Sequence, residues 1–384
     1  MSHSRWQLPP RLPAEQLSKM NLPPLMAQLL YNRGITDPAD VDPFLAADER
    51  LLNDPFLLPD MDKAVARVYR ALLSGETIAI YGDFDADGIT ATVLLAQGLS
   101  SLGGRAVPYI PRRAEEGYGL NHAALENLHD NGVSLVITVD CGISSIPEVE
   151  RAQRMGLDIV ITDHHTVPPQ MPQAVAVVDP KRADSRYPFP KLAGVGMAFK
   201  LLQALLQSLG KDGDMEVVLD LVALGTVADM EPLLGENRYL VKQGLAVLRN
   251  TSRLGLREMA RCAGIPLSAV DPEIISWVLG PRLNAAGRLD HAIIGYEIVN
   301  AMIKKLPGFP EETRKRLLHM ILSHHGEARL GAPVVPQTVE AIALHMADYL
   351  DAQLRQAVDA QRKGEEAWSE YIQGLKRFIY IGEE

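Results

Sequence analysis

The sequence predicts an α/β fold: a parallel five-stranded sheet flanked by helices, with an N-terminal helical arm and a C-terminal all-α segment. Two observations support this prediction. Between about residues 75 and 180, short β-rich runs alternate with helical runs, and the β-rich runs are mostly apolar instead of alternating in polarity. Continuous apolar strands separated by helices indicate a parallel sheet that is covered on both faces.

The predicted elements follow one another in a regular order. The candidate strands are Thr77–Tyr81, Arg105–Ile110, Leu135–Val139, Asp158–Thr162 and Ala174–Val178, and the helices between them are Ile89–Leu102, Ala123–Asn131 and Ser145–Met155. Further helical patterns cover Ala14–Leu30, Leu192–Leu209 and Val217–Val227. We predict an arm or helical cap over residues 1–60, an α/β domain over 61–290 and a helical segment over 291–384.

Composition excludes several classes of protein. The formal net charge of −10 argues against a surface coated with basic residues, although an acidic site filled with metal can still act on nucleic acid. The sequence has no run of 18 apolar residues and no apolar signal segment at its start, so we expect no membrane association and a cytoplasmic location. The two cysteines, Cys141 and Cys262, agree with a reducing compartment.

Acidic residues and histidines follow three of the predicted strands. The sequences at the strand ends are Asp83-Phe84-Asp85-Ala86-Asp87-Gly88, Asp140-Cys141-Gly142 and Asp163-His164-His165. The carboxyl ends of parallel strands meet at one edge of a sheet, so these side chains are expected to lie together. Clustered carboxylates repel one another unless a cation is present, and oxygen ligands suit Mg²⁺ or Mn²⁺.

Other interpretations of these acidic residues remain open. An EF-hand loop also begins D-x-D-x-D-G, but it requires Glu at the twelfth position, where this chain has Leu94, and a helix before the loop. A solvated acidic turn with Asp83 as a helix N-cap is the second alternative. Asp229 ends an apolar helix and supplies another metal oxygen if that helix packs over the active edge; otherwise it is a surface cap.

Six motifs in order resemble the DHH phosphoesterase superfamily and, within it, the exonucleases specific for single-stranded DNA. They are YGDFDADG, PRRAEEGYGL, TVDCGIS, TDHH, GTVADM and GPRLNAAGRL, and the resemblance spans residues 1 to about 290. It implies two-metal hydrolysis of single-stranded DNA from the 5′ end, in DNA repair and recombination. Short oligonucleotides or cyclic dinucleotides are alternative substrates, and a weakly active or inactive chimeric metal-binding scaffold is a third possibility.

The resemblance also implies roles for the matched positions. One Mn²⁺ or Mg²⁺ ion would be bound by Asp85 and Asp140, and a second by Asp87, Asp140, His164 and Asp229, with Asp140 bridging. Asp83, His165 and Arg113 would act as catalytic residues beside the ions. Phosphate contacts or support of the site would come from Arg113, Arg282, Asn284 and Arg288, since arginine donates paired hydrogen bonds to phosphate. A structural ion pair is the alternative for Arg282 and Arg288.

The superfamily pattern ends after Leu289. The Gly-Gly-His motif of the superfamily's second domain is not found, and the one Gly-Gly pair precedes Arg105. The segment after Leu289 resembles the C-terminal half of HD-domain phosphohydrolases of the YhaM-type exoribonucleases, through His291, His324, His325 and Asp348, without the upstream His-Asp pair.

The sequence therefore resembles two partial enzymes joined near residue 290. Whether this is a natural fusion, an engineered or computed chimera or an assembly error stays open, as does the oligomeric state. We predict no second metal site in the tail. Apolar residues at helical spacing explain the pattern there as packing, namely Leu317, Leu318, Ile321 and Leu322.

Overall fold

The structure is a computed structural model that describes residues 10–112, 116–211, 215–306, 308–326, 332–347 and 349–350, with the backbone alone for 286–291, 293–294 and 297–298. Its first part is a helical arm with α1 at Ala14–Met20, α2 at Pro24–Tyr31 and α3 at Pro38–Ala46. Asn21, which adopts a left-handed conformation with φ of 50°, separates the first two helices. The predicted pattern over 14–30 is therefore two helices.

All five strands are parallel, as the sequence predicts. They are β1 (Thr77–Gly82), β2 (Arg105–Tyr109), β3 (Val133–Val139), β4 (Asp158–Thr162) and β5 (Ala176–Val178), and they lie in the order β2-β1-β3-β4-β5. After β1 the chain adds β2 on one side and then returns to add β3 on the other. This reversal of direction opens a crevice beyond the carboxyl ends of β1 and β3, which is where open α/β sheets bind their ligands.

Helices cover both faces of the sheet. One layer contains α4 (Met61–Ser74), α5 (Ala86–Ser101), α8 (Gly194–Ser208) and α9 (Leu219–Ala228), and the other contains α6 (His122–Asp130) and α7 (Ile146–Arg154). Within β1, Ile78 and Ile80 pack into the first layer, whereas Ala79 and Tyr81 pack into the second. Because both faces of β1, β3, β4 and β5 are largely buried, most positions in these strands are apolar, whereas the edge strand β2 is more exposed.

Helices also form the C-terminal part of the described chain. They are α10 (Gly235–Leu248), α11 (Leu254–Cys262), α12 (Pro272–Ile274), α13 (Gly280–Ile303) and α14 (Glu311–Ser323), with a π-helical turn at Ile275–Leu279. Helix α13 passes through residue 290 without a break, so the predicted boundary there falls inside one helix. Within the described residues, no helix combines the length and the apolar character that a membrane span requires.

The arm is fixed to the α/β domain by a buried polar network. Lys200 on α8 and Glu236 on α10 are both fully buried and form an ion pair of 2.5 Å. The Lys200 ammonium group also donates to the backbone oxygen of Asn53 at 2.7 Å, and Tyr187 donates its hydroxyl to Glu236. A buried charge pair is tolerated when further hydrogen bonds satisfy both groups, as they do here.

Candidate metal centre

Five carboxylates and two imidazoles converge at the predicted edge of the sheet. Their ligand atoms form groups in which every atom lies within 4.8 Å of the others; these groups are Asp83–Asp85–Asp140, Asp87–His164–Asp229 and Asp140–His164–His165. The carboxylates come from the ends of β1 and β3, the first turn of α5 and the end of α9. The spacing agrees with the sequence prediction that these strand ends would meet.

The loop after β1 owes its shape to the start of α5. Asp85 is the N-cap of this helix, and its Oδ1 accepts hydrogen bonds from the amides of Asp87 at 2.9 Å and Gly88 at 3.0 Å. A Cβ at Gly88 would lie 2.5 Å from the backbone oxygen of Asp83, so the close turn requires glycine. The alternative with Asp83 as the N-cap is therefore wrong. The EF-hand alternative is also wrong, because strand β1 precedes the loop.

The amino terminus of α8 holds Asp87. This aspartate is buried, and its two oxygens accept from the first amides of the helix, Gly194 at 2.6 Å and Val195 at 2.8 Å. The first amides of a helix have no partner within the helix and carry its positive end. They therefore orient the carboxylate and leave each of its oxygens a remaining lone pair for a cation.

Asp140 follows β3 in a backbone conformation that few residues adopt. Its φ is 61°, in the left-handed region that asparagine, aspartate and glycine tolerate best. Gly194 lies directly against it, since a Cβ at Gly194 would be 2.5 Å from Cβ of Asp140. The absence of a side chain at Gly194 therefore lets α8 approach both Asp87 and Asp140.

His164 has a different set of neighbours at each ring nitrogen. Its Nε2 lies 3.1 Å from Oδ1 of Asp140, 3.8 Å from Oδ2 of Asp87 and 3.7 Å from Oδ2 of Asp229. Its Nδ1 lies 3.5 Å from Oε1 of Glu231. Asp229, the C-cap of α9, thus reaches the cluster, with 27% of its side chain exposed.

Asp163 organises the turn that carries both histidines, a role that the sequence did not reveal. Its Oδ1 accepts from the amides of His164 at 2.7 Å and His165 at 3.1 Å, and its Oδ2 accepts from the amide of Ile143 at 2.9 Å. Nδ1 of His165 also lies 2.7 Å from the same carboxylate, while 47% of the His165 side chain is exposed. Asp163 is therefore a support for the turn, not a member of the acidic cluster.

Burial and mutual repulsion perturb the carboxylates. Burial, followed by the charge of Asp229, raises the pKa of Asp87 to about 7, and burial raises the pKa of Asp229 to about 6. Burial and the charge of Asp87 also raise the pKa of Asp140. Burial alone would lower the pKa of His164, but Asp140 and Glu231 outweigh it and raise that pKa to about 11. A cluster that favours protons in this way has a deficit of positive charge.

The predicted substrate residues are only partly placed. Asn284 on α13 accepts from the amide of Ala86 at 2.7 Å, so it supports the loop that carries the aspartates. Arg282 donates to the backbone oxygen of Val278 at 2.8 Å, within the π-helical turn. Arg113 lies outside the described residues. Arg288 lies in α13, and its side chain is outside the described part.

A cleft of roughly 370 Å³ opens beside the cluster. It is lined by the loop after β3, the start of α7 and the segment around Gly119, and it includes Tyr118, Ser144, Ser145, Asp163 and His165. Tyr118 lies edge-on to Phe84 and to His165, with ring centroids 6.4 and 6.3 Å apart. The exposed imidazole of His165 is therefore the link between the acidic cluster and this cleft.

The ring nitrogens of two tail histidines, His324 and His345, lie against backbone oxygens. Nδ1 of His324 lies 2.6 Å from the backbone oxygen of Ile321, and Nδ1 of His345 lies 2.9 Å from that of His324. Asp348 lies outside the described residues, as does the side chain of His291. The prediction that the tail holds no second metal site therefore stays a prediction.

Comparison with known proteins finds relatives for most of the chain. Residues 77–226 match the DHH family, N-terminal domain. The single-stranded-DNA-specific exonuclease RecJ of Bacillus subtilis is 41% identical over 294 residues, which are 76% of this chain and 37% of the relative. RecJ of Escherichia coli K12 is 37% identical over 303 residues, which are 75% of this chain and 50% of the relative. The chain thus spans about half, or less, of the length of these curated relatives.

Solved structures of RecJ are also similar to this chain. The crystal structure of RecJ from Thermus thermophilus in complex with Mn²⁺ has a TM-score of 0.62 and 28% identity, covering 94% of this chain and 48% of that one. A second structure, an exonuclease RecJ bound to manganese, has a TM-score of 0.56 and 29% identity, covering 85% of this chain and 76% of that one.

Proposed function

We propose that this chain, whose residues 77–226 match the DHH family, N-terminal domain, hydrolyses phosphodiester bonds in single-stranded DNA with two divalent ions, Mn²⁺ or Mg²⁺. The observation that carries the proposal is the convergence of five carboxylates and His164 at the edge of the sheet. Release of mononucleotides from the 5′ end is part of the proposal and rests on the likeness to RecJ.

The donor set fits two hard cations. Asp83, Asp85 and Asp140 offer oxygens on one side, and Asp87 and Asp229 offer oxygens with the imidazole of His164 on the other. Asp140 belongs to both sides and is the bridging group in this proposal. When bound, two such ions supply an activated water and positive charge at the phosphoryl oxygens. The raised pKa values of Asp87 and Asp229 support this assignment, because divalent ions would replace protons that these carboxylates otherwise retain.

The residues of this chain provide positioning around that chemistry. The amides of Gly194 and Val195 fix Asp87, and Asn284 fixes the loop at Ala86. Preorganised ligands of this kind do not have to reorganise during the reaction.

The exposed His165 is the proposed contact with the substrate. Its Nδ1 lies against Asp163, which raises the pKa of the imidazole, so Nε2 remains available as a proton donor toward a phosphate oxygen. The cleft beside His165 gives a nucleotide access to the acidic cluster.

A length series of 5′-labelled single strands tests this proposal. We expect cleavage of long strands with Mn²⁺ or Mg²⁺, no cleavage with a chelator, and mononucleotide products. Cleavage confined to dimers through pentamers, or to cyclic dinucleotides, would instead assign the chain to the small-substrate phosphodiesterases. Failure to cleave any of these substrates while Mn²⁺ still binds would leave a metal-binding scaffold.

A further inference from the structure

We propose that Glu231 is a positioning residue whose carboxylate orients the imidazole of His164. This inference rests on the proposed function, because it takes His164 to be a metal ligand through Nε2. The sequence motifs assign Glu231 no role. It lies two residues after Asp229, and both acids reach the same ring.

The two acids contact opposite nitrogens of that ring. Oδ2 of Asp229 lies 3.7 Å from Nε2 of His164, on the side of the acidic cluster, and Oε1 of Glu231 lies 3.5 Å from Nδ1. Met230 makes this possible, because its φ of 62° turns the chain back between them. A side chain held in the left-handed conformation is uncommon, and such outliers often lie at functional sites.

Burial gives the contact its importance. Only 6% of the His164 side chain and 16% of the Glu231 side chain are exposed. Nδ1 of His164 is fully buried, and in the described part of the chain it has no partner within strict hydrogen-bond geometry. Leaving a buried donor unpaired is unfavourable. A small rotation of Glu231 would shorten the 3.5 Å contact to a hydrogen bond.

This arrangement has a clear chemical consequence. A carboxylate that accepts a proton from one ring nitrogen leaves the other nitrogen unprotonated and directed at a metal. Glu231 would thereby select the tautomer with the proton on Nδ1 and keep Nε2 aimed between Asp87, Asp140 and Asp229. A direct contact of Glu231 with the same ion does not fit, because Oε1 lies at the nitrogen on the opposite side of the ring.

The test measures Mn²⁺ binding to the full chain without substrate, by a binding isotherm and by the ¹⁴N coupling in pulsed electron paramagnetic resonance. We expect Glu231→Ala to weaken the nitrogen-coordinated site by about 10–100-fold, as loss of such a partner does elsewhere. Glu231→Gln should lose less, because its amide oxygen still accepts from Nδ1. Glu126→Gln is the matched control, since Glu126 pairs with Arg151 on the surface and should bind Mn²⁺ normally.

The outcomes separate this inference from the proposed function. Unchanged Mn²⁺ affinity and unchanged ¹⁴N coupling in Glu231→Ala would overturn the positioning role. If that variant fails to fold, the same result in Glu231→Leu, which fills a similar volume but has no acceptor for Nδ1, decides. A wild-type chain whose Mn²⁺ shows no ¹⁴N coupling would also overturn it, because His164 would then not be a ligand. A wild-type chain that shows the coupling but cleaves no nucleic acid defeats the proposed function and leaves the role of Glu231 intact.

Discussion

Ionisable side chains cluster both at the edge of the sheet and in the C-terminal tail, but the groups that surround them differ between the two regions. At the edge, buried carboxylates lie against one another, and burial raises the pKa of Asp87 to about 7. In the tail, the rings of His324 and His325 lie 3.9 Å apart, and His324 and His345 contact backbone oxygens. A cluster of potential ligands is therefore informative when its charges lack compensation, and much less so where backbone oxygens already contact the ring nitrogens, as they do at His324 and His345.

The strongest test of this difference between the two regions is to remove the carboxylate of Asp140, which is proposed to bridge the two ions. Asp140→Asn keeps the size of the side chain, and asparagine tolerates the left-handed φ of 61°. We expect kcat to fall by about 10³-fold or more, because a main electrostatic element is lost. Steady-state cleavage of a labelled single strand measures the effect. Activity within about tenfold of wild type, with the fold intact, would refute the assignment of the site.

A methyl group at Gly194 should have the next largest effect. Its Cβ would lie 2.5 Å from Cβ of Asp140, so α8 or the aspartate must shift. We expect Gly194→Ala to lower kcat by about 10²-fold, the order of loss for a displacement of about 1 Å. It should also destabilise the fold by about 1–3 kcal/mol, as overpacking does.

Gly255→Ala is the matched control for this substitution. Gly255 lies in α11, and a Cβ there meets nothing within 4 Å. Helix propensity predicts a stabilisation of up to about 1 kcal/mol, and activity should not change. Equal effects of the two substitutions on kcat would show that the contact with Asp140 does not matter. Thermal unfolding and initial rates measure both variants.

The pH dependence of stability sharpens the comparison further. In the metal-free chain the pKa of Asp87 is about 7, above its ordinary value of 3.8, so ionisation is less favourable in the folded state. Its contribution to stability is therefore complete below about pH 4 and is lost as the pH rises through about 7. We expect the Tm with chelator to fall between about pH 5 and 8, and the rise in Tm caused by Mn²⁺ to grow with pH over the same range.

The variant Asp87→Asn tests whether Asp87 causes the decline of the metal-free Tm with pH. It removes the titrating group, so the decline in metal-free Tm between about pH 5 and 8 should become shallower. The residual slope would come from Asp229, whose pKa is raised to about 6, from Asp179, whose pKa burial raises to about 7, and from Asp140 and His164, whose pKa values are also raised. A metal-free Tm that rises over this range in the wild-type chain would contradict the view that the cluster lacks positive charge.

The smallest effect is expected in the tail. His324→Ala combined with His325→Ala should leave kcat and the number of bound Mn²⁺ ions per chain unchanged. Loss of the backbone contact of His324 should cost about 1 kcal/mol of unfolding free energy, the usual value for one hydrogen bond. Fewer Mn²⁺ ions per chain in a folded double variant would reveal a second metal site and remove the contrast between the two regions.

The sequence predicted the sheet well because buried parallel strands are apolar on both faces. The strand Asp158–Thr162 agrees at both ends, and β3 begins two residues before its predicted start. Strand ends depend on pairing with neighbours, which no local pattern records. Likewise, the N-cap is Asp85 and not Asp83, because the choice depends on how α5 begins against the rest of the loop.

The site was predictable where it follows from the ends of strands. Asp83, Asp140 and His164 come together because parallel strands finish at one edge. The supports were not predictable, because they come from distant segments. The amides of Gly194 and Val195 are more than 100 positions from Asp87, and the signal for Asp163 was its place in the same turn as the two histidines.

The hydrogen bond between Ala86 and Asn284 has a consequence for the timing of biosynthesis. Its partners are 198 residues apart in the chain. At a translation rate of about 5–20 residues per second, Asn284 is made roughly 10–40 s after the loop that it supports. Through that interval a nascent chain carries the aspartates of the first strand without this support. The acidic edge is therefore completed late in synthesis, after the sheet beneath it has been made.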